Sequence, residues 1–139
     1  MRITLESDYA LRIVNALAKR GDVVDAKTLS TETSVTLRFT LKILHKLVLG
    51  KIVKSYKGVG GGYKLLLTPD KITLRDVIEL IDGPIVIARC LENEEMCSMI
   101  KDKSLCEYHH IFNHISYELS KKLGAITISD VIERKYTLE

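Results

Sequence analysis

Two β-rich runs joined by a glycine cluster constrain the fold of this chain more than any other feature. The runs are KIVKSYK, residues 51–57, and YKLLLT, residues 63–68, and the segment GVGGG lies between them. Because glycine allows the left-handed backbone angles that tight turns need, this order predicts a β-hairpin. The cluster does not fit a phosphate-binding loop, since Tyr63 stands where the dinucleotide pattern needs glycine.

Three amphipathic segments before the hairpin have the spacing of short helices, with a polar cap before them or a glycine after them. The first lies within residues 4–21, with Gly21 as its stop, the second spans about 26–32 and is capped by Asp25, and the third spans 37 to about 49 and is capped by Thr36. Short helices followed by a basic hairpin are the arrangement of a winged helix-turn-helix. The sequence therefore predicts such a domain over residues 1–68, in a fold that is mostly α-helical with one small β-hairpin.

The third helix is predicted to have an apolar face and a basic face. Each set of side chains repeats every three or four residues, which places its members on one side of a helix. The apolar stripe is Leu37, Leu41, Leu44 and Val48, and the basic row is Arg38, Lys42 and Lys46.

Charge is distributed unevenly along the chain. Residues 1–68 contain twelve Lys or Arg against five Asp or Glu, whereas residues 69–139 contain nine against thirteen. Between Thr33 and Pro69 there are seven basic residues and no acidic one. An un-neutralised basic surface of this kind releases counterions when it binds a polyanion. The first half is therefore predicted to bind nucleic acid, with Arg38 and Lys42 near the start of the helix that meets base edges.

The second half, residues 69–139, is predicted to be helical. Thr73 and Asp76 have the spacing of a capping box at the start of a helix that continues to about Ile81. A long helix is predicted from about Leu105 to Leu123, and a short one begins near Ser129. Four residues form the apolar face of the long helix: Phe112, Ile115, Leu119 and Leu123.

All three cysteines of the chain lie between these helices. Cys90, Cys97 and Cys106 fall in a charged loop, and His109 follows the last of them closely. Three thiolates and an imidazole are the ligand types of a zinc site or an iron–sulfur cluster, and a thiol redox switch uses the same residues. The spacing alone does not separate these three alternatives.

The remaining features of the sequence exclude several classes of protein. No export signal or long apolar run is seen, and the cysteine number is odd, so a cytoplasmic protein without a membrane segment is expected. No nucleophile–base pair, phosphate loop or paired carboxylates emerge, so no enzyme is expected. A small iron–sulfur electron carrier or assembly protein is disfavoured, because it would need neither the basic half nor the hairpin.

Four segments together resemble the Rrf-type bacterial transcription regulators, a family that includes iron–sulfur-dependent and nitric-oxide-sensing members. They are MRITLESDYALRIV at the start, KGVGGGYKL at the hairpin, TLRDVIELIDGP, and the three-cysteine loop. The resemblance covers nearly the whole chain and keeps the order of the motifs. It implies a homodimer that binds palindromic double-stranded operator DNA, with the long helix of each subunit crossing its partner.

The resemblance also implies roles for particular residues. The positions that match the family's operator contacts are Thr36, Arg38, Phe39 and Lys42 on the third helix, and Lys57 and Val59 at the wing. The positions that match its cluster ligands are Cys90, Cys97 and Cys106. For the fourth ligand, His109 matches one branch, and Asp8 matches another, in which the aspartate comes from the partner subunit.

The hypothesis from the sequence is thus a dimeric regulator that senses cluster status, redox state or nitric oxide. A 2Fe–2S cluster is favoured, 4Fe–4S stays open, and such clusters are easily lost in air. The alternative is the same DNA-binding fold with a structural zinc site or a plain thiol switch.

Overall fold

The structure is a computed structural model that describes residues 2–93, 95, 97–99 and 101–138. Its helices and strands, in chain order, are α1 (Leu5–Arg20), α2 (Ala26–Thr33), α3 (Leu37–Leu49), β1 (Val53–Tyr56), β2 (Gly62–Leu65), α4 (Leu74–Asp82), α5 (Arg89–Glu92), α6 (Glu107–Gly124) and α7 (Ile128–Glu133). The predicted fold class, mostly helical with one β-hairpin, is confirmed. No helix among the described residues is long and apolar enough to cross a membrane.

Side-chain caps fix where the helices begin. The hydroxyl of Thr36 accepts a hydrogen bond from the backbone N–H of Phe39, so α3 starts where the sequence predicts. The predicted capping box of Thr73 and Asp76 is present at the start of α4. The long helix α6 begins at Glu107 rather than near Leu105, because Lys103–Leu105 forms a separate turn of 3-10 helix.

The core lies between α1 and α3, and its position corrects the predicted stripe of α3. The buried α3 residues are Thr40, Ile43, Leu44 and Leu47, whereas Leu37 and Leu41 are 45% and 44% exposed. The helix has apolar residues on two adjacent arcs, and only one of them can face α1. The arc through Ile43 and Leu47 packs on α1, so the neighbouring arc stays at the surface.

The wing is a hairpin whose second strand is also paired with the α1–α2 connection. Strands β1 and β2 are antiparallel, with Val53 opposite Leu65 and Tyr56 opposite Gly62. Tyr63 and Val24 exchange two backbone hydrogen bonds of 2.8 Å, which form an isolated antiparallel bridge beside β2. The second strand of the wing is thus fixed to the α1–α2 connection by backbone pairing.

Gly62 allows this close approach, and its replacement by alanine is expected to be costly. Its φ is 154°, and an added Cβ would lie 2.6 Å from the carbonyl carbon of Val24 and 2.9 Å from the amide of Asp25. We expect Gly62→Ala to lower the free energy of unfolding by about 2–4 kcal/mol, through backbone strain and loss of the bridge. Urea unfolding followed by circular dichroism measures this.

Gly60→Ala is the matched control for that experiment. Gly60 also has a positive φ, 76°, but an added Cβ would meet nothing within 4 Å. The free energy of unfolding of Gly60→Ala should fall only by the cost of placing alanine in a left-handed conformation, about 1–2 kcal/mol. Equal losses in the two variants would contradict a steric role for Gly62.

The chain after residue 68 returns to the same core. Helices α4 and α7 both pack against α1, and the segments that precede them lie side by side. The amide of Leu74 donates to the carbonyl of Ile126 at 3.0 Å, and that of Ile128 donates to Ile72 at 2.8 Å. Ile72 and Ile128 are buried beside this bridge. The end of α6 is therefore followed at once by a fixed attachment to the helical core.

Candidate nucleic-acid interface and sensor loop

The start of α3 presents polar and aromatic side chains to solvent. Thr36, Arg38, Phe39 and Lys42 are all exposed. The ring of Phe39 packs edge-on against Tyr9 of α1, with 6.1 Å between ring centroids. The Lys42 Nζ lies 6.0 Å from the centroid of the Phe39 ring. Phe39 is therefore supported from α1 and supports Lys42 in turn.

The tip of the wing presents Lys57 and Val59. Lys57 is exposed, and Val59 has no neighbour covering its side chain. Gly58 and Gly60 on either side of Val59 have positive φ values of 87° and 76°, which form the tight turn. Such a tip can approach a groove of a duplex with its backbone.

Lys46 departs from the basic row in which the sequence placed it. Its Nζ lies 2.6 Å from Glu6 Oε1 on the first turn of α1, and Lys42 Nζ lies 3.4 Å from Glu6 Oε2. The pKa of Glu6 is lowered, chiefly by the Lys46 ammonium. Burial opposes this lowering, and the Lys42 ammonium adds to it. Sequence reasoning missed Glu6, because an acid 40 positions before Lys46 gives no local signal.

The three cysteines share one loop but do not meet at one point. Cys90 lies on α5, and Cys106 directly precedes α6. These two thiols and that of Cys97 are partly buried and form no disulfide. Lys103 donates to the backbone carbonyl of Cys90 at 3.2 Å, which ties the two ends of the loop together. In the part of the chain that the structure describes, no three Cys, His, Asp or Glu side chains converge as a metal site.

The two histidines after Cys106 differ in what they contact. His110 Nε2 lies 2.8 Å from the carbonyl oxygen of Ser104. His109 Nδ1 is buried and has no hydrogen-bond partner among the described residues. A buried polar atom without a partner is costly, so His109 is the imidazole whose environment is incomplete.

Asp8, the other candidate for the fourth ligand, already has a partner in its own subunit. Its Oδ2 lies 2.6 Å from the Arg12 guanidinium, and both side chains are nearly half exposed. Arg12 in turn lies over the ring of Tyr9, 5.3 Å from its centroid. Asp8 is therefore part of the α1 surface that supports Phe39.

Helix α6 leaves an apolar strip uncovered. Tyr108, Ile111 and Ile115 lie on one side of the helix and are 71%, 51% and 46% exposed. Phe112, Leu119 and Leu123 of the predicted face are partly buried, so Ile115 is its outermost member. On the covered side, Ser116 is buried and its hydroxyl accepts a hydrogen bond of 3.0 Å from the amide of Ile87.

Comparison with solved structures shows the same fold. The structure of CymR, titled the global cysteine regulator of B. subtilis, has a TM-score of 0.77 and 24% identity, covering 98% of this chain and 99% of that chain. The structure titled T. potens IscR has a TM-score of 0.71 and 16% identity, covering 100% and 94%. The helix order, the exposed start of α3 and the paired hairpin thus define a winged helix-turn-helix protein.

Sequence comparison then shows the family. The model of the Rrf2 family, described as an iron-dependent transcriptional regulator, matches residues 3–134, and the chain belongs to that family. The HTH-type transcriptional regulator NsrR of Bacillus subtilis (strain 168) is 24% identical, over 97% of this chain and 92% of the relative. Because members of the family are transcriptional regulators, the prediction that the chain is not an enzyme is confirmed.

Proposed function

We propose that this chain is a dimeric, cytoplasmic regulator that binds a palindromic operator and responds to a cluster held by its cysteine loop. The observation that carries the sensor part is the unpartnered, buried Nδ1 of His109, three residues after the last of three clustered thiols. The family's description as iron-dependent is consistent with it.

The operator surface would be formed by residues 1–68. Thr36, Arg38, Phe39 and Lys42 at the exposed start of α3 would enter the major groove, and Lys57 and Val59 at the wing tip would contact the adjacent backbone or groove. A duplex carries dense negative charge, and the seven basic residues between Thr33 and Pro69, apart from Lys46, which is paired with Glu6, supply the complement. Residues 69–139 would supply the sensor loop and the dimer contact.

The dimer contact would use the uncovered strip of α6. Tyr108, Ile111 and Ile115 have the three- and four-residue spacing of a helix that packs on another helix. Pairing α6 with its copy would bury the strip and place two α3 helices on one duplex. A palindrome requires them to be one helical turn apart, about 34 Å, or a multiple of it.

The side chains of the loop fit an iron–sulfur group by their chemistry. Cys90, Cys97 and Cys106 would supply thiolates, and His109 would supply the nitrogen, with Asp8 of the partner subunit as the alternative fourth ligand. When bound, a cluster would supply a group that is gained, lost or oxidised with iron supply, oxidants or nitric oxide. Because Cys106 directly precedes α6, a rearranged loop would act on the helix that pairs the subunits.

Anaerobic reconstitution with iron and sulfide tests the cluster and its fourth ligand. We expect the wild type to gain visible absorbance with matching iron and sulfide, and Cys106→Ala to gain neither. His109→Ala should lose most of the iron, whereas His110→Ala, whose imidazole contacts Ser104 instead, should retain it. Loss of iron in Asp8→Ala with retention in His109→Ala would reverse the assignment. A colourless, iron-free wild type would remove the cluster from the proposal.

The alternative keeps the DNA-binding fold and replaces the cluster with structural zinc or a thiol switch. Of these two, the thiol switch is the one that fits three partly buried thiols not gathered at one point in the described structure, because a zinc site needs its ligands together just as a cluster does. Metal analysis of the same samples separates the cases. One zinc per chain without visible absorbance would favour zinc, and a metal-free protein whose DNA binding responds to oxidants would favour the switch.

A further inference from the structure

Glu6 brings a carboxylate from α1 into the basic surface of α3. It belongs to the first helical turn of α1, and its side chain is only 23% exposed. Its two oxygens face different lysines, with Lys46 Nζ at 2.6 Å and Lys42 Nζ at 3.4 Å. Since residues 33–69 contain no acid of their own, the charge that neutralises this row has to come from another part of the chain.

A second carboxylate reinforces the arrangement around Lys46. Burial opposes the lowered pKa of Asp82 at the end of α4, hydrogen bonds from Thr4 and Ser7 are the larger causes of the lowering, and the Lys46 charge adds to it. The amide of Thr4 donates to Asp82 at 3.2 Å, and the Thr4 hydroxyl caps α1. Lys46 therefore lies near acids from two helices, whereas the side chain of Lys42 is 55% exposed and only loosely held.

We propose that Glu6 is a specificity-determining residue of the DNA interface, because it withholds Lys46 and restrains Lys42 from sequence-independent contact with phosphates. The inference rests on the proposed operator-binding function. Affinity for any duplex grows with the number of phosphates that cationic side chains neutralise. A lysine neutralised within the protein adds little to that number. Random DNA can be bound in any register that brings free lysines to phosphates, whereas base contacts hold the operator in one register, so Glu6 lowers binding to random DNA more than binding to the operator.

The salt dependence of DNA binding measures how many lysines are withheld. Each additional phosphate contact steepens the fall of log affinity with log salt by about 0.9. We expect Glu6→Gln to steepen this slope by about 1 to 2 on a random-sequence duplex, and to raise the affinity roughly three- to tenfold. The ratio of operator to random affinity should fall by a similar factor. The operator for this comparison is the palindrome that wild-type protein selects from a random pool.

Glu133→Gln is the matched control. Glu133 also forms a 2.6 Å ion pair with a lysine, Lys135, but it lies on α7, so the variant makes the same change in net charge away from α3. It should leave the salt slope unchanged. When Glu6→Gln is added to the Lys42→Gln/Lys46→Gln variant, the salt slope should stay that of the double-lysine variant, because the lysines that Glu6 withholds are already absent.

The outcomes separate this proposal from the proposed function. If wild type selects a palindrome and Glu6→Gln leaves the random-duplex slope and affinity unchanged, the role of Glu6 is wrong while operator binding stands. If Glu6→Gln has the same effect in the double-lysine background, the effect is one of net charge and the proposal is again overturned. If neither protein binds any duplex, both proposals fail together.

Discussion

Ile115→Glu is expected to convert the protein to a monomer and to lower its affinity for a palindromic operator by at least about 100-fold. Ile115 belongs to the uncovered strip of α6 and is 46% exposed in the subunit, so the isolated chain should tolerate the glutamate. In the proposed dimer, this carboxylate would be buried opposite the carboxylate of the other subunit. The cost of removing both charges from water would not be offset by a hydrogen bond or an ion pair. A monomer binds only one half-site, so it loses the increase in affinity of roughly 10²- to 10⁴-fold that two linked binding domains provide.

Tyr117→Glu is the control on the same helix. Tyr117 is 63% exposed but lies two residues from Ile115, about 200° further around α6, outside the strip. Sedimentation should show this variant as a dimer with wild-type operator affinity. Circular dichroism should show both variants folded. A dimeric Ile115→Glu, or a monomeric wild type that still binds the whole palindrome tightly, would contradict the proposed interface.

Arg38→Ala is expected to weaken operator binding by about 5- to 150-fold and to relax the base preference at one position of each half-site. Arg38 is exposed near the start of α3, and its planar guanidinium can donate two hydrogen bonds to the edge of a guanine. Loss of one such contact costs about 1–3 kcal/mol of discrimination. Because the contact reads a base, binding to random duplex should fall much less.

Lys57→Ala provides the contrasting result. Lys57 lies at the wing tip and would contact phosphate, so its loss should weaken binding to all sequences by similar factors and reduce the salt slope by about 1. Titrations of operator, single-base variants and random duplex over a range of salt concentrations measure both effects. A uniform loss for Arg38→Ala would show that this side chain positions the protein rather than reading sequence.

Local signals in the sequence predicted the elements of the fold well. The cap at Thr36, the capping box at Thr73 and the glycines of the hairpin each act within a few residues, and each is present as expected. The buried face of α3 could not be chosen in this way, because its two apolar arcs differ only in which one α1 covers. The pairing of Val24 with Tyr63 likewise joins residues that are distant in sequence.

The candidate site shows the same division between local and tertiary information. The clustering of Cys90, Cys97 and Cys106 is visible in the sequence, but their separation within the described structure is not. Both His109 and Asp8 fit the pattern of a fourth ligand, and only the packing shows that Asp8 has a partner while His109 Nδ1 has none. Their roles as ligands and those of the α3 and wing residues as DNA contacts stay predictions.

The bridge between the segments before α4 and α7 gives α6 two unequal ends. Its C-terminal end leads at once into Ile128, whose amide is bonded to Ile72 in the core, whereas its N-terminal end continues from the cysteine loop through Cys106. A helix of 18 residues is about 27 Å long. In the proposed regulator, α6 would therefore act as a lever that is held at its C-terminal end by the bridge and near its middle by the hydrogen bond from the Ile87 amide to Ser116, with the turns next to Cys106 as the arm that the loop can displace. In the proposed dimer, a displacement at Cys106 would shift the α6 strip against its copy.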